Sequence, residues 1–157
     1  MTAEKTPSVL VVCMGNICRS PTGEAVLRAR AQAASIEVEI DSAGTIGYHQ
    51  GNPPDSRARA AGEARGYSFK GMRARQVVAE DFERFDLILV ADRQNLSDLM
   101  AICPDEHRSK LALFLDYANV TEDEVPDPYY GGDQGFEYVL DLVEQAADGV
   151  LASLKNR

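Results

Sequence analysis

Five residues separate Cys13 from Arg19 in the run Cys13-Met14-Gly15-Asn16-Ile17-Cys18-Arg19-Ser20. A cysteine thiolate is a nucleophile, and an arginine guanidinium is a planar fork matched to two oxygens of a phosphate. A loop closing on itself over that span can aim its backbone N–H groups inward as an anion-binding nest. It would then hold an oxyanion against an anionic sulfur, the arrangement that phosphoryl transfer to a thiol requires. Spacing selects Cys13 from the three cysteines, because the sixth residue after Cys18 is Glu24 and the sixth after Cys103 is Ser109. The pair is a weak signal alone, since a buried cysteine can also end a strand with the arginine solvated at a helix start. The flanking elements decide between the two.

Ser8–Cys13 (SVLVVC) is short, apolar and rich in β-branched residues, so it reads as a buried strand. Gly15 and Asn16 tolerate the positive φ of a tight turn. Ser20-Pro21 then opens a helix that runs to about Ala33. Strand, glycine-bearing loop and helix form a βα layout that receives a phosphate at the helix N-terminus. Further strands are expected near Glu37–Ile40, over Phe85–Val90 and over Lys110–Leu115. Helices are expected from Ser56 to about Arg65, near Arg93–Ala101 behind an Asp92 cap, and from Phe136 onward. Apolar residues in that last stretch fall at Phe136, Val139, Leu140, Val143, Ala147, Val150, Leu151 and Leu154, which is one helical stripe. Thr45–Asp55 and Thr121–Gly135 read as loops.

This alternation predicts an α/β fold in a single domain over residues 1–157. The expected architecture is a three-layer α/β/α sandwich around a central four-stranded parallel sheet, Rossmann- or flavodoxin-like. Ligands of such sheets bind at the carboxyl ends of the strands, where Cys13 stands.

Composition narrows the function further. With 16 basic and 25 acidic residues the net charge is −9, which argues against nucleic-acid binding and anionic membranes. Any anion site must be assembled locally. No apolar run approaches a membrane span, and Met1–Ser8 does not read as a signal peptide. Three unevenly spaced cysteines imply no disulfide framework and fit the cytoplasm. With two histidines they make a structural zinc site a poor reading, and no metal or cofactor is called for.

A thiolate attack on a phosphate ester needs a proton for the departing oxygen. Asp127 in Val125-Pro126-Asp127-Pro128-Tyr129-Tyr130 is the best carboxyl candidate, on a loop stiffened by two prolines. Asp-Pro is also a common turn dipeptide, and the residues alone favour that reading.

Val12–Pro21 (VCMGNICRSP) resembles the signature of the low-molecular-weight protein tyrosine phosphatases. The likeness continues in family order through Asp41-Ser42-Ala43-Gly44, Gly51-Asn52-Pro53-Pro54-Asp55, Arg73-Ala74-Arg75-Gln76, Phe85-Asp86-Leu87-Ile88 and Asp127-Pro128-Tyr129-Tyr130-Gly131. The resemblance implies that Cys13 is the nucleophile, Arg19 the phosphate clamp and Asp127 the general acid and later base. It implies that phosphate is gripped by the loop Met14, Gly15, Asn16, Ile17 and Cys18. Asn16 is implied to sit at positive φ, buttressed by Ser20 and Ser42, with Ser20 also bonded to Cys13. Tyr48, Tyr129 and Tyr130 would wall the site. Implied partners are phosphotyrosine-containing proteins, with inorganic phosphate as product.

One departure is visible: Met72 occupies a position where many members carry a histidine that braces the loop asparagine. The brace is then expected from Ser20 and Ser42 alone. Ile17 accords with phosphotyrosine, whereas related arginine phosphatases carry threonine there. Arsenate reductases of the same fold rely on two downstream cysteines, and here only Cys103 lies downstream. Phosphoarginine hydrolysis and arsenate reduction remain the alternatives. Cys18 either packs beneath the loop or forms a reversible disulfide with Cys13.

Overall fold

The structure, a computed structural model, describes residues 6–128 and 133–155. Strand β1, Ser8–Cys13, is buried at every position. Its alternate side chains enter two different cores, as the two-residue period of a strand dictates. Val9, Val11 and Cys13 face one cluster, with Val26, Leu27, Val143 and Val150. Leu10 and Val12 face another, with Phe82, Phe85 and Leu99. Each fully buried Val or Leu contributes about 1.5–3 kcal/mol, so β1 alone is a large part of what holds the layers together.

The sheet order is β2-β1-β3-β4, with β2 at Glu39–Gly44, β3 at Leu87–Val90 and β4 at Leu111–Leu113. All three pairings are parallel. Helix α1 (Arg19–Ala33) and α5 (Asp133–Lys155) pack on one face, and α2 (Ser56–Ala64) packs against both of these helices. Helices α3 (Ala79–Arg84) and α4 (Arg93–Met100) supply the second face. The expected three-layer parallel architecture is therefore present. Because β1 lies between β2 and β3, the chain winds to one side of it to form β2 and then crosses back past it to form β3. The crevice at their carboxyl ends is where such sheets take ligands.

Several boundaries differ from expectation. Strand β2 begins later and runs on through Asp41-Ser42-Ala43-Gly44, paired Ser8↔Glu39 to Cys13↔Gly44. Those polar and small residues have little strand propensity, and pairing with β1 overrides it. The consequence is functional, because Ser42 is thereby locked beside the Cys13 loop. A Cβ on Gly44 would lie 2.7 Å from the Met14 carbonyl oxygen, so only glycine lets β2 end against the loop. Strand β4 is shorter than expected because the chain turns into a 3₁₀ segment at Phe114–Tyr117. Helix α3 and a 3₁₀ turn at Asp105–Lys110 were not anticipated, and α5 starts at Asp133, inside the stretch read as loop.

Candidate active site

The segment from Cys13 to Arg19 forms a bowl between β1 and α1. Its carbonyls are engaged from outside. Thr45 N–H donates to Cys13 O at 2.9 Å, Ile46 N–H to Met14 O at 3.1 Å and Asp55 N–H to Ile17 O at 2.8 Å. Thr22 Oγ1 donates to Cys18 O at 2.8 Å. Carbonyls turned outward are the arrangement that presents the intervening N–H groups to an anion. The first turn of α1 carries no acidic residue, so its dipole is not neutralised there.

Asn16 has φ of 58°, in the left-handed region expected of it. Its Nδ2 donates to Ser20 Oγ at 2.8 Å and Ser42 Oγ at 3.0 Å. Its Oδ1 accepts from the Arg75 backbone N–H at 3.0 Å. The brace is therefore not made by Ser20 and Ser42 alone, as Met72 had suggested. A main-chain donor supplies the third contact, and a backbone N–H is independent of which side chain stands nearby. Arg75 itself is held by Asp81 at 2.9 Å and Asp41 at 3.1 Å. Burial works against its charge, but the two carboxylates outweigh it and hold the guanidinium above its ordinary pKa.

Cys13 Sγ lies 3.0 Å from Ser20 Oγ and accepts from Ser20 N–H at 3.4 Å. Arg19 is 5% exposed, which is costly for a cation unless it is paired. Its Nη1 donates to Asp92 Oδ2 at 2.6 Å and to Val125 O at 3.1 Å. Its Nη2 lies 3.8 Å from Asp127 Oδ2. Burial opposes the Arg19 charge, yet the Cys13 sulfur and then Asp92 and Asp127 raise its pKa overall. Asp92 does double duty, since its Oδ1 also accepts from Asn95 N–H at 2.8 Å and caps α4. Val125 N–H reaches back to Ala91 O at 2.8 Å, so the Asp127 loop is anchored to the end of β3 as well as to Arg19.

A cleft of about 370 Å³ brings together Cys13, Met14, Gly15, Ile17, Cys18, Arg19, Tyr48 and Asp127. Asn16, Ser20 and Ser42 stand behind the wall and are buried. Tyr129 and Tyr130 lie outside the described residues. Ile46 and His49 also line the cleft and were not anticipated. The His49 ring rests on the loop, with Cδ2 2.9 Å from where a Gly15 Cβ would be, and it meets Tyr48 edge-on at 4.8 Å between centroids. Tyr48 is 83% exposed, standing at the mouth of the cleft. Asp92 was read only as a cap; its place after the carboxyl end of β3 is the signal that could have marked it. Among the described residues no group of three or more His, Cys, Asp or Glu could hold a metal ion. No helix among them is long and apolar enough to cross a membrane.

All three cysteines are free thiols. Cys18 packs with Ala58 and Phe136. Burial, followed by the negative charges of Asp55, Cys13 and Asp127, pushes its pKa up to about 12, with Arg57 opposing. Below pH ~9 Cys18 carries a proton whether folded or not, so its contribution to stability is complete there. Between about 9 and 12 the unfolded chain ionises and the folded one resists, so stability falls as pH rises. Urea titrations across that range should show a steeper loss for the parent than for Cys18→Ala. Parallel losses would contradict the burial of this thiol.

Fold and site together define a phosphatase of the parallel α/β class, with its cleft at the carboxyl ends of the strands. The family model for low molecular weight phosphotyrosine protein phosphatase matches residues 8–157. A putative low molecular weight protein-tyrosine-phosphatase of Synechocystis is 46% identical over 150 residues, covering 93% of this chain and 95% of the relative. The human low molecular weight phosphotyrosine protein phosphatase is 42% identical over 147 residues, covering 88% and 90%. A crystal structure of the Entamoeba histolytica protein tyrosine phosphatase, with Hepes in its active site, superposes with a TM-score of 0.93 at 40% identity, covering 96% and 98%. The chain belongs to the low-molecular-weight phosphotyrosine protein phosphatase family, and it is a hydrolase.

Proposed function

We propose that the protein hydrolyses phosphotyrosine in protein substrates in the cytoplasm, with Cys13, Arg19 and Asp127 as its reacting groups. The observation that carries this reading is the convergence of a hydrogen-bonded Cys13 sulfur, the buried Arg19 and the Asp127 carboxyl on one cleft. The loop N–H groups and the Arg19 guanidinium take the phosphate oxygens, and the Cys13 thiolate attacks phosphorus in line with the ester oxygen. The P–O bond breaks and the leaving phenolate oxygen takes a proton from Asp127. The cysteinyl-phosphate is then attacked by water, whose proton returns to Asp127. Inorganic phosphate departs, and the Cys13 thiolate leaves with Ser20 as its hydrogen-bond donor.

Preference for the aryl ester follows from the walls. Ile17, Ile46 and Tyr48 offer apolar surface around the approach to the sulfur, which suits a flat ring. A phosphoserine carries no ring to fill that approach. On matched peptides, kcat/KM for phosphotyrosine should exceed those for phosphoserine and phosphoarginine by at least about tenfold, the worth of burying one aromatic ring. Faster turnover of phosphoarginine would overturn the assignment of substrate.

A further inference from the structure

The Cys13 loop is backed by a chain of side chains that ends at Glu24, a residue of α1 that is 5% exposed and does not line the substrate cleft. Both carboxylate oxygens are used. Ser42 Oγ lies 2.7 Å from Glu24 Oε1, and Arg28 Nε donates to Oε2 at 2.9 Å. A carboxylate can only accept, so the single Ser42 hydroxyl hydrogen must point at Glu24. Ser42 Oγ must therefore accept from Asn16 Nδ2 at 3.0 Å. The Asn16 amide cannot flip, because its Oδ1 already receives the Arg75 N–H at 3.0 Å. Its second Nδ2 hydrogen goes to Ser20 Oγ at 2.8 Å. Ser20 Oγ, which accepts from Asn16, keeps its own hydrogen to give. Cys13 Sγ stands 3.0 Å away, against 3.4 Å for the competing Ala43 carbonyl.

We infer that Glu24 is a positioning residue: its carboxylate takes the Ser42 hydrogen and so makes Ser42 a fixed acceptor, which together with the Arg75 N–H holds the Asn16 amide in the orientation that leaves the Ser20 hydrogen for the Cys13 sulfur. The inference rests on Cys13 being the nucleophile. Arg28 is part of the device. It is Glu24's ion-pair partner at 2.8 Å and, with Asp41, Lys70 and Arg73, borders a separate depression on the far side of Glu24. Replacing the carboxylate by an amide leaves one carbonyl oxygen, which the Arg28 cation claims. The amide NH₂ then faces Ser42, whose oxygen receives two donors while its hydrogen has no acceptor. A buried donor is left unpaired and the Ser42 brace on Asn16 is loosened, without any change of volume.

The test compares Glu24→Gln, Ser42→Ala and the double variant for p-nitrophenyl phosphate turnover and for the rate of Cys13 alkylation by iodoacetate at pH 7. Each single change should lower both rates by about tenfold, the worth of one hydrogen bond to a charged group, with KM little altered. In the Ser42→Ala background Glu24→Gln should add less than about twofold, because the link is already cut. Additive losses, or an unchanged alkylation rate in folded Ser42→Ala, would overturn the role. If Glu24→Gln fails to fold, the Ser42→Ala alkylation rate decides alone. Alkylation reads the sulfur without turnover, so a parent that alkylates normally but does not hydrolyse phosphate esters would point to failure of the phosphatase reading instead.

Discussion

Replacing Cys13 by serine is expected to lower kcat for p-nitrophenyl phosphate by at least about 10⁴-fold, the scale seen when a covalent nucleophile is removed. The exchange is nearly isosteric, and the groups around it are hydrogen-bond donors: Ser20 Oγ at 3.0 Å and Ser20 N–H at 3.4 Å from the sulfur. Donors suit the anionic sulfur of a thiolate nucleophile. They cannot remove a proton from a serine hydroxyl, which stays protonated at neutral pH. The phosphate cradle does not depend on the sulfur for its shape, because Arg19 is fixed by Asp92 and Val125 and Asn16 by Ser20, Ser42 and Arg75. Inhibition-type binding of inorganic phosphate should therefore persist within a few-fold, measured by calorimetry on the inactive variant. A Cys13→Ser enzyme that keeps more than about 1% of the parent rate would remove the nucleophile from the account.

Asp127→Asn should have the next largest effect, and one that depends on the leaving group. Asp127 sits at the edge of the cleft, 3.8 Å from Arg19 Nη2, on a segment tied through Val125 to both Arg19 and Ala91. An amide there keeps the shape and cannot give up a proton. General acid catalysis is worth about 10²–10⁴-fold, so kcat for a phosphotyrosine peptide should fall by that range. p-Nitrophenolate leaves without protonation and should lose less in the first step. Equal losses for the two esters, measured under single turnover, would mean that Asp127 acts only by charge or position.

Much of the site was legible in the sequence where its chemistry is local. Cys13 and Arg19 belong to one loop, and the strand before it and the helix after it follow from patterning over some twenty residues. The sheet order was not legible, and neither was the run of β2 through Ser42, because pairing with β1 overrides weak local propensity there. Asp127 stood out only through its resemblance to a family motif, since Asp-Pro alone marks a turn. The supporting residues were hidden for a different reason. Asp92 meets Arg19 across 73 positions and Arg75 meets Asn16 across 59, distances over which no local pattern extends. Glu24 was within reach of reading, four residues after Ser20 and four before Arg28 on one face of α1. What concealed it was the ordinary look of a Glu–Arg pair at helical spacing, whose usual meaning is a solvated surface bridge.

The most direct measurement is an acid quench of Asp127→Asn with excess aryl phosphate, followed by mapping of the phosphorylated peptide. The bowl-and-thiolate account predicts that the variant makes the covalent adduct and hydrolyses it slowly, so phosphate should be found on the sulfur of residue 13. Recovery of unmodified Cys13 while p-nitrophenol is still released, or of phosphate on another side chain, would contradict it.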